Sequence, residues 1–529
     1  MKCRKIIFAA MAGVGAGFCI VAGKSLDVSY TLNLTEKSFY IKWLICSAVI
    51  GFIVHILWEI FSRRIQIPEK ISAFIEKTGF RLEKIEKKMS FPILMLIFVL
   101  LWTPAWLSVF PGVFSYDAYD EWMQIYTGNI TAHHPVLHVL YLGGIVEGAY
   151  QLFGSYNLGI AICTVIQMVV LAAVFAYTIQ FMRERGVSPF CRLFAIVFYG
   201  ISPVIQLFAI SGTKDIFFAA AFLVFMISIY RICLEQEYFF RNKKWVFMFI
   251  LSAVFTMIMR NNGLYIVLLT LLIILYICRQ HLKKYLLMCA AVLSIYLLYI
   301  GPFYGMLNVT AGGMEEMLSV PLQQIARVYK YEQDSFSEEE IEYLHALVPR
   351  KNWESYRATV SDFVKSGFRE EVFAEDPLRF LQVWATTGLK HPLTYINSFL
   401  INTVDFWYPF AVVDGYQDVY GKSSYFDYRV SEPGTEVVLL PKLHEIYDAI
   451  SHDKGTQSLP GMFFILSPGW YFLLFFMCFL YLWREKQYRK LIPLLPILIN
   501  FGTVLLGPIA LVRYVLILFF AFPMYCVLK

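Results

Sequence analysis

The chain has 529 residues, of which 58% are hydrophobic and only 16% charged, and its mean hydropathy is +0.59. These values lie far from those of soluble proteins and predict an integral membrane protein. The net charge of +6 does not indicate a nucleic-acid partner, because the basic residues cluster between apolar runs, where the positive-inside rule accounts for them.

Apolar runs long enough to cross a bilayer recur along almost the whole chain, so we expect an all-α polytopic membrane protein with about twelve transmembrane helices. The predicted spans begin near Ile6, Ile41, Phe91, Leu158, Leu193, Phe217, Trp245, Leu264, Tyr285, Met462, Leu491 and Ala510. The run 135–153 does not fit this alternation, and we interpret it as a shallow or re-entrant outer helix, with a full span as the alternative.

Basic segments between the runs give the topology. Arg-rich and Lys-rich loops at 182–186, 241–244, 279–284 and 484–490 are expected in the cytoplasm. We therefore divide the chain into 1–62 with two transmembrane helices, 63–90 as a basic amphipathic cytoplasmic linker, 91–302 as a transmembrane core, 303–460 as a helical extracytoplasmic domain, and 461–529 with three transmembrane helices. Both termini are then cytoplasmic.

The stretch "SYDAYDEW" opens the first external loop of the core, residues 111–134. If residues 115–127 form a helix, Asp117 shares one face with Asp120 and Glu121, at spacings of three and four. The intervening aromatic side chains suit the membrane interface. A solvated acidic loop anchored by these aromatics is the alternative interpretation.

The same loop continues into "HHPVLH", which brings His133 and His134 next to the carboxylates. We interpret His138, one turn into the following apolar helix, as a structural histidine rather than a ligand. No spacing along the chain is typical of a strong metal site, so a pair formed by Asp117 and His134 remains only a weak candidate for one.

Further polar residues fall on the same predicted membrane face. Lys214 and Asp215 occupy the turn "GTKD", where a local ion pair capping the next helix is an equal alternative. Arg260 and Asn261 end a span on the outer side, against the positive-inside trend. Arg513 lies inside the last span, where an unpaired guanidinium is costly, so we expect a phosphate or carboxylate partner.

The external domain is predicted to be globular and helical. "SEEEIEYLHALV" has a capping serine and an acidic first turn, and "NWESYRATVSDFVKSGF" is predicted as a second helical stretch. Residues 391–410 are apolar but interrupted by polar side chains, which favours an interfacial or partly buried helix over a span. The predicted external domain, 303–460, contains none of the ten cysteines of the chain. The chain also has no P-loop, so nucleotide-sugar chemistry at a cytoplasmic site is disfavoured.

An early span, an external acidic loop and a His-Pro element entering an apolar helix resemble the GT-C glycosyltransferases, the superfamily of protein O-mannosyltransferases and the aminoarabinose transferase of lipid A. The elements "SYDAYDEW", "HHPVLH", "GTKDIFFAAAFL", "RNNG", "PLQQIARV" and "VRYVLILFFAFP" resemble more closely a bacterial, uncharacterised GT-C-like family of Gram-positive organisms. The resemblance extends from about Phe91 to the C-terminus. "YDAYDEW" departs from a plain acidic pair, which leaves the catalytic base open between Asp117 and Asp120.

The resemblance implies an inverting glycosyltransferase of the bacterial plasma membrane. It moves a sugar from a polyprenyl-phosphate donor to a cell-envelope glycan or lipid acceptor outside the cell. Asp117 or Asp120 is then the base, and the residues that bind the substrates are Glu121, His133, His134, Lys214, Asp215, Arg260, Asn261, Gln323, Gln324, Arg327, Arg513 and Tyr514. Some relatives use a divalent metal such as Mg or Mn and others do not.

Three other functions stay open at this stage. A transporter or flippase of lipid-linked saccharide would line its path with intramembrane charges, although no two-fold symmetry of halves is visible in the sequence. A polysaccharide polymerase or ligase would share the lipid-linked donor and the large external segment. A receptor-like scaffold would keep its function after the external acids were neutralised.

Overall fold

The structure is a computed structural model, and it describes residues 2–62, 78–79, 81–84, 86, 88–411 and 425–528. It is 79% helical, and the described residues form isolated β-bridges but no strand. The chain is therefore an all-α membrane protein. Most of the predicted amphipathic linker, 63–90, lies outside the described residues.

The first half of the chain consists of long helices joined by short turns. In chain order they are α1 (Lys2–Ser29), α2 (Lys37–Phe61), α3 (Phe91–Ser108), α4 (Ala118–Thr127), α5 (Val136–Phe153), α6 (Tyr156–Glu184), α7 (Pro189–Ile201), α8 (Pro203–Ala209), α9 (Lys214–Leu234), α10 (Gln236–Arg241), α11 (Lys243–Met259), α12 (Asn261–Leu275) and α13 (Leu282–Leu298).

The second half mixes short helices with the closing apolar ones. They are α14 (Ser319–Tyr331), α15 (Glu338–Leu347), α16 (Glu370–Glu375), α17 (Pro377–Lys390), α18 (Pro392–Trp407), α19 (Pro441–His452), α20 (Pro468–Arg484), α21 (Leu495–Val504) and α22 (Leu516–Ala521). The remaining helical segments are α-helices shorter than six residues, 3₁₀ segments and one π-helical segment, Tyr299–Phe303.

Within the described residues, seven helices are long and apolar enough to cross a membrane, or eight if the bent pair α7 and α8 forms one span. The seven are Cys3–Ser29, Lys37–Phe61, Phe91–Ser108, Val136–Phe153, Tyr156–Glu184, Lys214–Leu234 and Ile277–Met306. Val136–Phe153, which the sequence analysis interprets as a shallow or re-entrant helix, thus has the length and composition of a span.

The predicted number of spans, about twelve, is not confirmed. Prolines and polar caps cut several apolar runs into pieces. The run that begins near Leu193 is bent by 53° between α7 and α8, where Pro203 starts the second helix. The runs near Trp245 and Leu264 become α11 and α12, separated by the extended residue Arg260. Both helices are shorter than the 18 residues of the smallest candidate span.

The segment between α13 and α18 has a small hydrophobic core of its own, formed by α14, α15, α17 and the loops between them. The predicted cap of α15 is confirmed, because Ser337 and Glu340 form a reciprocal capping box. The predicted helical stretch 352–368 is interrupted instead. Two short helices, Arg350–Glu354 and Asp362–Lys365, flank a turn that is closed by a bridge from Arg357 to Val360.

Helix α9 is the central element of the fold. In its most apolar stretch of 18 residues, 83% of the residues are buried. The helix packs against α6, α11 and α22. Thr213 caps its first turn by accepting a hydrogen bond from the Asp215 amide. This cap fixes the start of the helix, and with it the positions of Lys214 and Asp215 among their neighbours.

Candidate functional site

Six charged side chains from distant parts of the sequence meet where α4, α5 and α9 begin. They form a chain of alternating charge, referred to below as the charge cluster: Glu121, Lys214, Asp117, Arg513, Asp215 and Arg260. Its three carboxylates and three cations balance formally. Buried charges are costly unless they are paired in this way.

Asp117 lies at the centre of the charge cluster. Its Oδ2 accepts hydrogen bonds from Lys214 Nζ at 2.7 Å and from Arg513 Nη1 at 2.8 Å. Asp117 also occupies the N-cap position of α4, yet its side chain makes no capping hydrogen bond. Aspartate at this position normally caps its helix, so this carboxylate is committed to the two cations instead.

The backbone before Asp117 adopts a conformation that is rare for its residue type. Tyr116 has φ +55°, in the left-handed region that non-glycine residues seldom occupy and that concentrates at functional sites. The Tyr116 hydroxyl accepts a hydrogen bond from the Asp427 amide, and the Arg513 guanidinium lies 4.7 Å from its ring centre. These contacts orient the loop that presents Asp117.

The second half of the charge cluster holds two guanidinium groups around one carboxylate. Asp215, which is fully buried, pairs with Arg260, and its Oδ2 lies 3.7 Å from Arg513 Nη1. The Tyr514 ring lies between the two arginines, 4.3 Å from Arg260 and 5.2 Å from Arg513. Lys214 and Asp215 each pair with other residues across the fold, instead of forming the local ion pair that was the alternative interpretation of the turn "GTKD".

The histidines of the loop lie in two different environments. His134 is buried and its Nδ1 lies 2.8 Å from Lys214 Nζ, whereas His133 is exposed and contacts the His134 ring edge-on. His138 is fully buried and pairs with Glu121 through Nδ1. That pairing agrees with the predicted structural role of His138, while its Nε2 has no partner among the described residues.

Electrostatics set the protonation of the loop residues. Burial acts to raise the pKa of Asp117, but Arg513 and Lys214 hold it well below its usual range. Asp120, one turn further on, is exposed at its surface, but partial desolvation by the surrounding protein and the neighbouring Asp117 charge raise its pKa. Burial and the Lys214 charge lower the pKa of His134 to about 4. At neutral pH Asp117 is thus ionised and His134 is neutral.

Several predicted site residues lie away from the charge cluster. Gln323 donates to the Arg357 and Ala358 carbonyls, and Arg327 donates to the Tyr30 carbonyl. The Gln324 side-chain oxygen accepts a hydrogen bond from the Trp384 ring nitrogen. Their described contacts lie within the segment 303–460 and just after the end of α1. Asn261 is exposed at the start of α12.

Some contacts were not anticipated from the sequence. Asn262, rather than Asn261, ties α12 to α21 by donating to Asn500 and Thr503. The segment after residue 424 supports the acidic loop, because the Asp427 carbonyl accepts from the Ser115 hydroxyl and the Arg429 carbonyl accepts from the Phe114 amide. No sequence pattern signals a backbone contact between segments so far apart.

Two carboxylates and one imidazole of the charge cluster region have the composition of a metal site. One ligand atom from each of Asp117, Glu121 and His134 lies within 4.8 Å of the others. The Lys214 ammonium, however, lies among these same atoms, 2.7 Å from Asp117 Oδ2 and 3.9 Å from Glu121 Oε1. This donor set does not fit a divalent ion while Lys214 remains in place.

A family model described as a family of unknown function, DUF6020, matches residues 126–529. The match includes Lys214, Asp215, Arg260 and Arg513 and begins after the acidic residues of α4. No curated protein and no solved structure matches the chain. The chain therefore belongs to the DUF6020 family.

Proposed function

We propose that this protein is an inverting membrane glycosyltransferase of the GT-C type. It transfers a sugar from a polyprenyl-phosphate donor to a cell-envelope glycan or lipid acceptor. The observation that carries the proposal is the position of Asp117. This residue occupies the N-cap position of α4, but its carboxylate makes no capping hydrogen bond and instead pairs with both Lys214 and Arg513. A carboxylate beside two cations at the edge of the apolar core suits a base next to a phosphate site.

The cations provide the phosphate site of this proposal. A lipid phosphate that enters the charge cluster competes with Asp117 for Arg513 and Lys214, both of which bind phosphate oxygens well. Arg260 adds a third positive charge beside Tyr514. Because Asp117 loses its cationic partners in this exchange, its pKa rises and it becomes a stronger base once the donor is bound.

The transfer is a single displacement at the anomeric carbon. The acceptor oxygen forms its bond to this carbon from the face opposite the phosphate, and its proton passes to Asp117. The bond from the anomeric carbon to the phosphate oxygen breaks, and the electron pair leaves with the lipid phosphate. Arg513, Lys214 and Arg260 stabilise the negative charge on that leaving group.

Asp120 is the alternative base. It is exposed, lies one turn from Asp117 on α4, and its raised pKa makes it the more basic of the two carboxylates before the donor binds. In that arrangement Asp117 would position Lys214 and Arg513 by its ion pairs with them, and Asp120 would take the proton from the acceptor. Asn substitutions at the two positions separate these roles.

The proposed location is the bacterial plasma membrane, with about twelve membrane passes, both termini in the cytoplasm and the charge cluster outside. Helix α9 supports this orientation. It begins with Lys214 in the charge cluster and is 21 residues long, which corresponds to about 30 Å. Near that other end lie Arg231, Arg185 and the basic start of α11, which is the pattern of a cytoplasmic face.

The test is consumption of polyprenyl-phosphate monosaccharides by the purified protein in detergent, with a panel of cell-envelope acceptors. We expect the wild type to consume one donor of the panel and Asp117→Asn to lose that turnover while donor binding is retained. Asp334→Asn is the matched control, because Asp334 is an exposed carboxylate of the external segment. It should leave turnover unchanged.

The outcomes separate the remaining functions. Turnover that survives Asp117→Asn but is lost in Asp120→Asn would transfer the role of base to Asp120. If no donor is consumed but the protein moves lipid-linked saccharide across vesicle membranes, the protein is a transporter and not a transferase. Transfer of whole chains instead of single sugars would identify a polymerase or ligase.

A further inference from the structure

The Lys214 ammonium occupies the centre of a potential metal site. Its Nζ lies 2.7 Å from Asp117 Oδ2, 2.8 Å from His134 Nδ1 and 3.9 Å from Glu121 Oε1. Two carboxylates and an imidazole are a typical donor set for Mn²⁺ or Zn²⁺. One lysine therefore contacts or approaches all three groups that would otherwise converge on an ion.

We propose that the Lys214 ammonium takes the place of a divalent cation in this site, so that the wild-type protein works without a metal and removal of the lysine side chain creates a metal-binding site. The part that concerns catalysis rests on the transferase function proposed above. The part that concerns metal binding does not.

The distances favour an ammonium group over a metal ion. Contacts of 2.7 and 2.8 Å have the length of charge-assisted hydrogen bonds, whereas oxygen and nitrogen ligands bind Zn²⁺ at about 2.0–2.2 Å. Glu121 Oε1 lies 3.9 Å from Lys214 Nζ, which is longer than a hydrogen bond and longer than a bond from a ligand to a metal. The three groups are therefore spaced around a hydrogen-bonding cation and would have to close inward to hold a metal.

Neighbouring residues keep the lysine in this position. Lys214 is the first residue of α9, and Thr213 fixes that helix start. Glu121 is fully buried, and its second oxygen is held by His138, so the carboxylate cannot turn away from the site. A divalent ion that entered beside the ammonium would add a second cation within a few ångströms, at a large repulsive cost.

The experiment measures Mn²⁺ binding to the full chain in detergent by electron paramagnetic resonance, in which the signal of free Mn²⁺ decreases as the ion binds. We compare the wild type with Lys214→Ala, Lys214→Ser and the double variant Lys214→Ala, Glu121→Gln. We expect each single variant to bind one Mn²⁺ at least tenfold more tightly than the wild type. The double variant should lose this gain, because Glu121 supplies one ligand.

Mn²⁺ binding by the wild type tests the proposal even where a Lys214 variant does not fold. Stoichiometric Mn²⁺ binding by the wild type that is lost in Glu121→Gln would overturn it, since lysine and metal would then coexist. A folded Lys214→Ala or Lys214→Ser protein without added Mn²⁺ affinity would overturn it as well. In the donor assay, wild-type turnover that survives a chelator supports the proposal, and turnover that a chelator abolishes and Mn²⁺ restores overturns it.

Failure of the proposed transferase has a different signature. If no donor is consumed but Lys214→Ala gains Glu121-dependent Mn²⁺ binding, the assignment of the lysine stands and the transferase does not. If the donor is consumed and requires Asp117 while the wild type binds Mn²⁺ through Glu121, the transferase stands and the assignment of the lysine fails.

Discussion

Arg513 donates to both carboxylate oxygens of Asp117, from Nη1 at 2.8 Å and from Nη2 at 3.3 Å, across 396 residues of sequence. This fork joins the last apolar segment of the chain to the acidic loop that leads into α4. Arg513 is only 8% exposed and its Nε has no partner among the described residues. The expected anionic partner of this buried guanidinium is thus a carboxylate of the chain itself.

Arg513→Lys tests the importance of the forked geometry. Lysine keeps the positive charge but cannot form two parallel hydrogen bonds with one carboxylate or phosphate. Loss of one charge-assisted hydrogen bond, worth about 1.5–3 kcal/mol, should lower kcat/KM for the lipid-linked donor by roughly 10- to 100-fold. Arg350→Lys, which changes an exposed pair with Glu354, should leave kcat/KM unchanged. An equal loss in both variants would contradict the role of the fork.

Asp215→Asn tests the balance of charge around the two arginines. Its neutral amide leaves Arg260 without its carboxylate partner in a buried site, and breaking a buried pair costs about 3–5 kcal/mol. We therefore expect a clearly lower thermal midpoint of unfolding in detergent. Glu354→Gln removes a carboxylate from an exposed pair and should hardly change the midpoint. A stable Asp215→Asn protein would show that Arg513 or solvent compensates Arg260.

The membrane class is predictable from the sequence, and all six side chains of the charge cluster are among the residues that the sequence singles out as candidates. Intramembrane charges such as Arg513 are informative because hydrocarbon tolerates them only when they are paired. Local capping rules also sufficed for α15, whose box is formed by two residues three positions apart.

Other features depend on tertiary packing and could not be predicted from the sequence. Hydropathy alone does not reveal that the apolar run near Leu193 is bent by 53° before Pro203, or that α11 and α12 are only 17 and 15 residues long, and the predicted number of about twelve spans is therefore not confirmed. The choice of Asn262 over Asn261 depends on which face of α12 meets α21. The central position of Lys214 among Asp117, Glu121 and His134 depends on the packing of α9 against the acidic loop.

His134 predicts a specific dependence of stability on pH. Its pKa is about 4 in the folded protein against 6.5 ordinarily, so the folded state keeps the ring neutral while the unfolded chain gains a proton below pH 6.5. The contribution of the neutral His134 to the free energy of unfolding is therefore fully present above about pH 6.5. It is lost as the pH falls towards 4, which lowers the free energy of unfolding by about 3 kcal/mol at most. Asp117, with its lowered pKa, adds a further loss only at lower pH.

The measurement for this prediction is the thermal midpoint between pH 4 and pH 8. His134→Gln should flatten the decline between pH 6.5 and pH 4, because glutamine does not titrate. The exposed neighbour offers a matched control, and His133→Gln should keep the wild-type profile. A wild-type midpoint that stays constant down to pH 4 would contradict the neutral, buried state of His134.

The orientation of the external segment can be tested with introduced cysteines. Asp334 is exposed in this segment, and Arg241 is exposed in α10, near the basic end of α9. The segment 303–460 has no native cysteine. In intact bacterial cells, a membrane-impermeant maleimide should label Asp334→Cys above the wild-type background and should label Arg241→Cys only after the membrane is permeabilised. The reverse pattern would place the charge cluster on the cytoplasmic face, where acceptors of the cell envelope are not accessible.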